Sequence, residues 1–432
     1  MLAVSTLILL GGFFLLIFLG TPLGVALGLA GTAVLLVADL GILAVPTDVW
    51  TGIAKYPLLA LPMFVLAGMV FERSGVAERL VRFVAALVGR RTGGLAIVAI
   101  IVCMILGGIS GSGPADAAAV AAVLTPSMLK QGYPRAYIAS VTAAAGSTAI
   151  LIPPSIAFIV YAVMVPGVSV PALFLGGVVP GMLAGIALMI PALWLCHRHG
   201  FGRPDKQDEL PPILDSFKDA IWGLAAPVVI LGGLRSGAFT PTEAAVVAAV
   251  YGLFVGVFIY RTLDARKIYE VLWQSAEISA VVLIIIALAS VFASAGAKIG
   301  TFDWAAQSLM GFTANETVML LAITVILLIA GMLIDGISIF LVFLPILLPI
   351  VRKYGWDLTW FGVVMTMNIA IGQFTPPMAV NLMVTCKVAG CGIERTVPWA
   401  LWLVLAMTAA LLLITFVPEL VLFMPRWLGD LE

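Results

Sequence analysis

Two long uncharged stretches constrain the fold of this chain more than any other feature of its sequence. Residues 1–38 and 136–197 contain no Asp, Glu, Lys or Arg. A helix needs about 20 apolar residues to cross a bilayer, so each stretch is long enough for at least two crossings. Only 10% of the 432 residues are charged, against roughly 25% in soluble domains. The sequence therefore predicts a polytopic membrane protein and excludes a soluble enzyme.

The apolar runs are continuous, whereas a membrane β-strand alternates in hydrophobicity over about 10 residues. We therefore predict an all-α protein with about ten spanning helices in the lipid bilayer. Basic and acidic residues balance at 22 each, so no nucleic-acid partner is indicated. The predicted spans cover residues 5–20, 23–39, 57–71, 136–197 (broken near 165–167), 219–234, 242–260, 277–297, 358–390 and 397–424.

Two further apolar regions, residues 93–129 and 316–351, are interrupted near their middles by glycine-rich segments. An aspartate accompanies each interruption, Asp116 in the first and Asp335 in the second. The flanking runs are short for a full crossing. Irregular backbone is tolerated at membrane depth only where it is buried in protein or lines a wet cavity. We predict two re-entrant helical hairpins, hairpin 1 and hairpin 2.

The hairpins belong to an internal repeat. Each aspartate is followed ten residues later by a proline, residues 70–75 match 291–296, and a Pro-Pro pair follows each hairpin at 153–154 and 376–377. We predict this order: scaffold helices in 1–60, repeat 1 in 61–165, scaffold helices in 166–275 with a cytoplasmic loop at 197–216, repeat 2 in 276–395, and a C-terminal helix in 396–432.

Positive charge predicts that the repeats are inverted. The amphipathic arm at 76–91 contains four arginines, whereas its counterpart at 298–313 contains only Lys298. Because basic residues favour the cytoplasmic side, the first arm is placed inside and the second outside. The pair Arg352-Lys353 falls on the outer side in this arrangement, against the rule.

Paired broken segments in two halves of a transporter indicate its binding site. Free carbonyls at half-helix ends suit Na⁺, and the positive N-termini suit an anion. We predict two similar polar clusters with a substrate between them. The candidates in the first half are Ser110, Ser112, Gly113, Asp116, Gly146, Ser147, Thr148 and Pro153; those in the second are Gly331, Asp335, Gly336, Asn368, Gly372, Gln373, Thr375 and Pro376.

Several of these residues also have a structural interpretation. Asp116 and Asp335 can each be the cap of a helix N-terminus, and each Pro-Pro pair can be a simple kink. Gln373 and Asn381 can hydrogen-bond between helices. The segment 240–243, Thr-Pro-Thr-Glu, is typical of a capping box.

Three motifs resemble the large membrane subunit of tripartite ATP-independent periplasmic (TRAP) transporters. They are residues 108–118 (GISGSGPADAA), 146–155 (GSTAILIPPS) and 239–245 (FTPTEAA). The resemblance covers essentially the whole chain. It implies a subunit of the bacterial inner membrane that pairs with a small four-helix membrane subunit. Since this chain begins directly with the first span of the large subunit, a separate small subunit is expected.

The same resemblance implies that a periplasmic substrate-binding protein delivers an organic anion, usually a carboxylate. It also implies Na⁺ as the coupling ion, no other cofactor, and an elevator-like movement of the hairpin-bearing domain. Carried onto this chain, the Na⁺ positions fall near Ser110, Ser112, Gly146 and Ser147 (site 1) and near Gly331, Asp335, Gly372 and Thr375 (site 2).

The leading hypothesis is therefore a Na⁺-coupled importer subunit for a C4-dicarboxylate, a sugar acid or a similar carboxylate. The alternative is a stand-alone sodium/dicarboxylate symporter that works without a binding protein. An intramembrane protease is not indicated, because the sequence has neither a His-Glu-x-x-His nor a Gly-x-Gly-Asp motif. A passive channel is disfavoured, since two ion-binding breaks suit occlusion better than open conduction.

Overall fold

The computed structural model describes residues 2–203, 212–313 and 315–430, and every regular element in these ranges is helical. Residues 204–211 of the predicted cytoplasmic loop lie outside the described residues. Seven described helices are long and apolar enough to cross a membrane. Six further described apolar helices are shorter, and four of them (Gly94–Ser110, Glu316–Gly331, Leu358–Gly372 and Val380–Ala389) are halves of a hairpin or of a helix broken at Pro-Pro.

The N-terminal part contains the first scaffold helices and the first arm. A π-helical turn joins the first two helices, and a 3₁₀ turn at Tyr56–Leu59 precedes the fifth. The helices are α1 (Leu2–Thr6), α2 (Gly12–Phe18), α3 (Leu23–Val37), α4 (Ala44–Ile53), α5 (Ala60–Arg73) and the arm helix α6 (Val76–Val88).

Hairpin 1 and the first broken helix follow. Hairpin 1 consists of α7 (Gly94–Ser110) and α8 (Gly113–Lys130), and the broken helix of α9 (Arg135–Ser147) and α10 (Ile156–Met164). Residues 148–155 between α9 and α10 are named break 1. The peptide bond between Pro153 and Pro154 in this break is cis.

Four long helices connect the two repeats. They are α11 (Val170–His199), α12 (Ile213–Arg235), α13 (Pro241–Phe254, continued by a π-helical segment) and α14 (Ala265–Ile299). The predicted capping box is present at the start of α13, where Thr240 and Glu243 bond each other's backbone reciprocally. The predicted span 277–297 begins earlier, at Ala265, because the Asp264 side chain caps the helix there by accepting from Lys267 N.

The second repeat has the same order of elements as the first. The elements are the arm α15 (Thr301–Phe312), hairpin 2 formed by α16 (Glu316–Gly331) and α17 (Gly336–Tyr354), and a broken helix formed by α18 (Leu358–Gly372) and α19 (Val380–Ala389). Residues 373–379 are named break 2, and its Pro376–Pro377 bond is also cis. The chain then forms α20 (Val397–Phe416) and α21 (Glu419–Trp427), so the predicted span 397–424 ends at Phe416 before Pro418.

One match within the repeat is wrong by about one helical turn. The first arm starts after Gly75, which has φ 76°, and the second after Gly300, with φ 73°. Left-handed backbone of this kind favours glycine, so the structural equivalent of Gly75 is Gly300. Gly296, which the sequence comparison paired with Gly75, lies inside α14 against the Phe302 ring. The arm α6 buries Val76, Leu80 and Val84 on one face, as its amphipathic pattern predicts, although Leu87 is exposed. In α15, Trp304 and Phe312 are also exposed.

The two repeats exchange the second halves of their broken helices. The α19 segment of repeat 2 packs against α8 and α9 of repeat 1, and the α10 segment of repeat 1 packs against α17 and α18 of repeat 2. Helices α5 and α14 lie largely within the ranges predicted for repeats 1 and 2, but they pack on each other and contact the hairpin-bearing unit from outside. They are named the scaffold helices. The interlocked packing places both hairpin tips and both breaks close together.

Candidate functional site

The two hairpin tips meet at one cavity of about 240 Å³. Tip 1 contributes residues 110–115 and tip 2 contributes 335–337. Both breaks and the scaffold helices α5 and α14 complete the wall. Six of the predicted residues line this single cavity: Ser110, Ser112, Gly113, Asp335, Gly336 and Gln373. The structure thus joins candidates that the sequence assigned to two separate clusters.

Tip 1 is fixed by a buried hydrogen bond between its two helices. The Ser110 hydroxyl donates to the Asp116 carboxylate at 2.7 Å and accepts from the backbone N–H of Ser112 at 3.1 Å. The Asp116 side chain therefore does not act as the cap of α8, although the cap was the structural alternative for this residue. The N-cap position is Ser112, whose side chain makes no capping bond.

Tip 2 is built differently. Asp335 is the N-cap of α17, and its carboxylate accepts from Ser338 N at 3.2 Å and from the Ser338 hydroxyl. Asp335 is therefore a helix cap, as its structural interpretation states, and it also lines the cavity. The α17 N-terminus is capped by its own carboxylate. The α8 N-terminus has no side-chain cap, and the carboxylate in its first turn, Asp116, is bonded to Ser110 instead. The two tips therefore differ in how their helix N-termini are capped.

Gln373 lies between the two tips. A Cβ atom placed on Gly113 would lie 2.7 Å from Gln373 Oε1, and one placed on Gly336 would lie 3.3 Å from Gln373 Nε2. The Oε1 atom is buried and has no hydrogen-bond partner. The sequence placed this residue with the second cluster alone, but its amide contacts both. A larger residue at Gly113 would displace this amide.

Two buried asparagines add further acceptors near break 2. Asn381 Nδ2 donates to the Ala143 carbonyl of α9 at 3.2 Å, which confirms its predicted role between helices. Asn368 Nδ2 donates to the Val364 carbonyl at 3.0 Å. Both side chains are fully buried, and their Oδ1 atoms have no partner. Unpaired buried acceptors are uncommon in native structures, so these oxygens are available to a ligand.

Asn381 was not among the predicted binding residues. Its amide lies 3.2 Å from a Cβ atom placed on Gly113, in the other repeat. The exchange of α10 and α19 brings the two residues together. The sequence does contain a signal for this residue, since Asn381 is an asparagine in an apolar segment shortly after a Pro-Pro break.

The remaining candidates surround the cavity without lining it. The hydroxyls of Ser147, Thr148 and Thr375 donate to carbonyls of their own helices at 2.6–2.7 Å. Three glycines make close backbone contacts: Gly146 approaches the Gly113 carbonyl, and Gly331 touches Gly372. The two proline candidates, Pro153 and Pro376, form the cis bonds of the breaks.

Sequence reasoning also missed the scaffold wall. Val65, Met69, Ile278 and Val282 line the cavity from α5 and α14. Tip 1 rests directly on the scaffold, because a Cβ atom on Gly68 would lie 3.2 Å from the Ser110 Cβ atom. Apolar positions in a membrane helix look alike in sequence, so no signal distinguished these from lipid-facing residues.

Among the described residues, no group of three or more His, Cys, Asp or Glu side chains is placed to hold a metal ion. The cavity offers the unpaired Gln373 amide oxygen, backbone groups and one helix N-terminus, and the unpaired oxygens of Asn368 and Asn381 lie outside its lining. Such a set suits reversible binding of small ions, since carbonyl-type oxygens are ligands of hard cations and helix N-termini attract anions.

The Ser110–Asp116 bond predicts a stability difference between the two tip serines. We expect Ser110→Ala to lower the unfolding temperature of the purified protein by about 2–5 °C, because it leaves the buried Asp116 carboxylate unpaired at a cost of about 1–3 kcal/mol. Ser112→Ala, which removes no side-chain capping bond, is the matched control and should change it little. Thermal unfolding in detergent measures both, and equal effects would contradict this account.

The fold is shared with solved membrane transporters. The YdaH transporter of Alcanivorax borkumensis superimposes with a TM-score of 0.63 at 14% identity, covering 87% of this chain and 88% of that one. Neisseria gonorrhoeae MtrF superimposes with a TM-score of 0.58 at 17% identity, covering 89% and 86%. At these identities the likeness concerns the fold alone.

Sequence identity is much higher with several curated relatives than with these solved structures. The chain is 38% identical to the C4-dicarboxylate TRAP transporter large permease DctM of Pseudomonas aeruginosa over 94% of both chains. It is 36% identical to the 2,3-diketo-L-gulonate TRAP transporter large permease YiaN of Escherichia coli over 98% of both. It is 37% identical to the isethionate TRAP transporter permease DctMQ of Oleidesulfovibrio alaskensis over 96% of this chain, which spans 66% of that longer protein.

These relatives are transporter permeases rather than enzymes. The family model of the tripartite ATP-independent periplasmic transporter, DctM component, matches residues 10–420. The predicted resemblance and the predicted multi-pass inner-membrane location are thereby confirmed. The chain belongs to the DctM component family of tripartite ATP-independent periplasmic transporters.

Proposed function

We propose that this chain is the transport subunit of a Na⁺-coupled importer of organic acids, working by elevator-type alternating access. One observation carries the proposal: both hairpin tips, both helix breaks and two scaffold helices surround a single cavity. A site made from broken elements of two repeats is the arrangement that secondary transporters use for substrate and coupling ions. The relatives carry the names of acids as their substrates, which supports an organic anion here.

The partners are a small four-helix membrane subunit and a periplasmic binding protein that delivers the acid. Family membership supports both. The longer isethionate permease, of which this chain spans 66%, supports a further membrane component beside the large subunit.

Sodium coupling is supported by the unpaired oxygens. For site 1, Gln373 Oε1 and Asn381 Oδ1 join the Gly146 backbone beside tip 1. For site 2, the unpaired Asn368 Oδ1 lies on α18 four residues before Gly372, and the Asn368 backbone oxygen is near the Gly331–Gly372 contact. We propose that Na⁺ binding satisfies these acceptors and thereby fixes the tips around the substrate. The buried oxygens would otherwise remain at a desolvation cost.

The first test is uptake by proteoliposomes of a labelled C4-dicarboxylate and a labelled sugar acid under an inward Na⁺ gradient. We expect uptake at least tenfold above background only when this chain, a cognate small subunit and a cognate binding protein are all present. Replacing Na⁺ by K⁺ should abolish it, because the coupling ion is then absent.

The same assay separates the alternatives. Uptake by this chain alone would support a stand-alone sodium/dicarboxylate symporter. Uptake that requires all three proteins but persists in K⁺ would remove sodium coupling and leave the tripartite assembly standing.

Gln373 provides a test of the sodium site. We expect Gln373→Leu to raise the half-saturating Na⁺ concentration for uptake by roughly five- to tenfold, since it removes one oxygen ligand. Gln307→Leu is the matched control, because Gln307 is exposed on the arm α15. Sodium titration of uptake measures both variants, and an unchanged curve for Gln373→Leu would remove this residue from the site.

The elevator movement is testable where tip 1 touches the scaffold. Ideal Cβ atoms at 68 and 110 are 3.2 Å apart, close to the 3.5–4.5 Å typical of a disulfide. We expect oxidation of the Gly68→Cys/Ser110→Cys variant to abolish uptake and reduction to restore it, because the crosslink ties the hairpin to α5. Each single variant is the control. Full uptake by the crosslinked protein would show that tip 1 does not leave the scaffold during transport.

A further inference from the structure

We propose that Lys55 and Arg235 are positioning residues that hold the hairpin-bearing unit in the position seen in this structure. Each is a cation outside the unit that binds the C-terminal end of a helix inside it. Both bonds break when the unit moves relative to the scaffold helices. This inference rests on the elevator movement of the proposed function and concerns the control of that movement.

The helices divide into two groups that pack mainly within themselves. Helices α3 and α4 pack on α14, α13 packs on α5, and α12 packs on α13. These six helices, α3–α5 and α12–α14, are named the scaffold bundle. Helices α11, α20 and α21 instead pack on one another, and α11 and α20 also pack on α9 and α18 of the broken helices. These three helices therefore belong to the hairpin-bearing unit.

Lys55 forms the first link between the two groups. It lies between α4 and the 3₁₀ turn that precedes α5, and its Nζ atom donates to the Val163 carbonyl at 2.8 Å. Val163 is in the last turn of α10, where carbonyls lack a partner within the helix and the helix dipole favours a cation. Both residues line a cavity of about 510 Å³ between α4, α14, α15 and α17. Close packing therefore does not hold the two groups together at this point.

The acidic residues of this second cavity do not hold Lys55. Asp48 and Asp303 line the cavity, as does the basic Arg352. The Asp48 carboxylate lies 3.8 Å from Lys298 Nζ, and this ion pair joins α4 to α14 within the scaffold bundle. In the described ranges, the Lys55 ammonium forms no ion pair with either acid. Its hydrogen bond is directed to the hairpin-bearing unit instead.

Arg235 forms the second link. It is the last residue of α12, and its Nη2 atom donates to the Leu428 carbonyl at 2.6 Å. Leu428 is the C-cap residue of α21, so this cation also lies at a helix C-terminus. The Nη1 atom forms an ion pair with Asp430 at 3.3 Å, and the Arg235 side chain is 44% exposed. Because exposed pairs change an equilibrium by up to about fivefold only, the two links are expected to act together.

The placement of the links makes them sensitive to the position of the unit. Lys55 precedes α5, which leads to the inner arm, and Arg235 ends α12, which starts at the predicted cytoplasmic loop. Both cations therefore lie toward the outer face in the predicted orientation. A hydrogen bond is lost once its donor and acceptor separate beyond about 3.5 Å. A displacement of the unit by a few ångströms breaks both links, so the links favour the present position.

The test measures the position of the unit in the purified full-length chain in lipid nanodiscs. Spin labels are attached to Val250→Cys of α13 and Leu405→Cys of α20, positions that are 60% and 53% exposed. Cys391, the native cysteine that is not fully buried, is replaced by serine. Pulsed electron paramagnetic resonance gives the distances between the labels. We expect Lys55→Met/Arg235→Met to raise the population at displaced distances by roughly threefold or more, because neither helix end is then held.

Lys298→Met and Arg73→Met are the matched controls. Each removes a basic side chain whose bond stays within the scaffold bundle: Lys298 with Asp48 at 3.8 Å, and Arg73 Nη2 with Gln274 Oε1 at 3.2 Å. We expect neither control to change the distances. An equal change in the controls, or unchanged distances in the double variant, would overturn the inference. A lower unfolding temperature of the double variant with unchanged distances would show a purely structural role and would overturn it as well.

Failure of this inference is distinguishable from failure of the proposed function, since the distance measurement needs neither substrate nor partner proteins. Unchanged distances in the double variant, together with uptake that the Gly68→Cys/Ser110→Cys crosslink abolishes, would overturn the role of the two cations alone. Full uptake by the crosslinked protein would instead remove the elevator movement. Absence of Na⁺-dependent uptake for every acid tested would remove the proposed transport function.

Discussion

The structure depends on one constraint: backbone polar groups at membrane depth have no water to pair with and must be satisfied by the protein. At the tip of each re-entrant hairpin, amides and carbonyls at the two helix ends have no partner within their own helix. Tip 1 satisfies part of it with the Ser110–Asp116 bond, and tip 2 with the Asp335–Ser338 cap. Each tip is further covered by a broken helix. One unpaired group that remains between the tips is the Gln373 oxygen, and it lines the cavity.

The exchange of half-helices between the repeats makes this possible. Because α19 packs on hairpin 1 and α10 on hairpin 2, each tip is covered by residues of both repeats. Gln373 is the clearest consequence, since its oxygen lies beside Gly113 and its nitrogen beside Gly336. A substitution at Gly113 or at Gly336 would therefore press on the same side chain. This coupling is what a transporter needs if substrate and ions are to be bound together.

Much of the architecture could be predicted because short stretches of sequence determine it. Hydropathy gave the spans, the glycine-rich interruptions gave the hairpins, and Thr240 and Glu243 form the predicted capping box. The pairing of Gly75 with Gly296 was wrong. It followed the similarity of residues 70–75 to 291–296, whereas the left-handed backbone that favours glycine before the second arm is at Gly300. The apolar wall could not be recognised, since burial against a cavity and burial against another helix leave the same residue types. Asn381 was recognised as a residue that bonds between helices, but its contact with tip 1 was not.

The sequence by itself determined that the chain is an all-helical membrane protein with two repeats, each containing a hairpin and a broken helix. These features follow from composition and from glycine and proline, which act on the backbone within a few residues. The tertiary structure alone decided that the two predicted clusters form one cavity, and which scaffold side chains complete the wall. These outcomes depend on contacts between residues more than 200 positions apart, such as Asn381 with Ala143, and no local pattern encodes them.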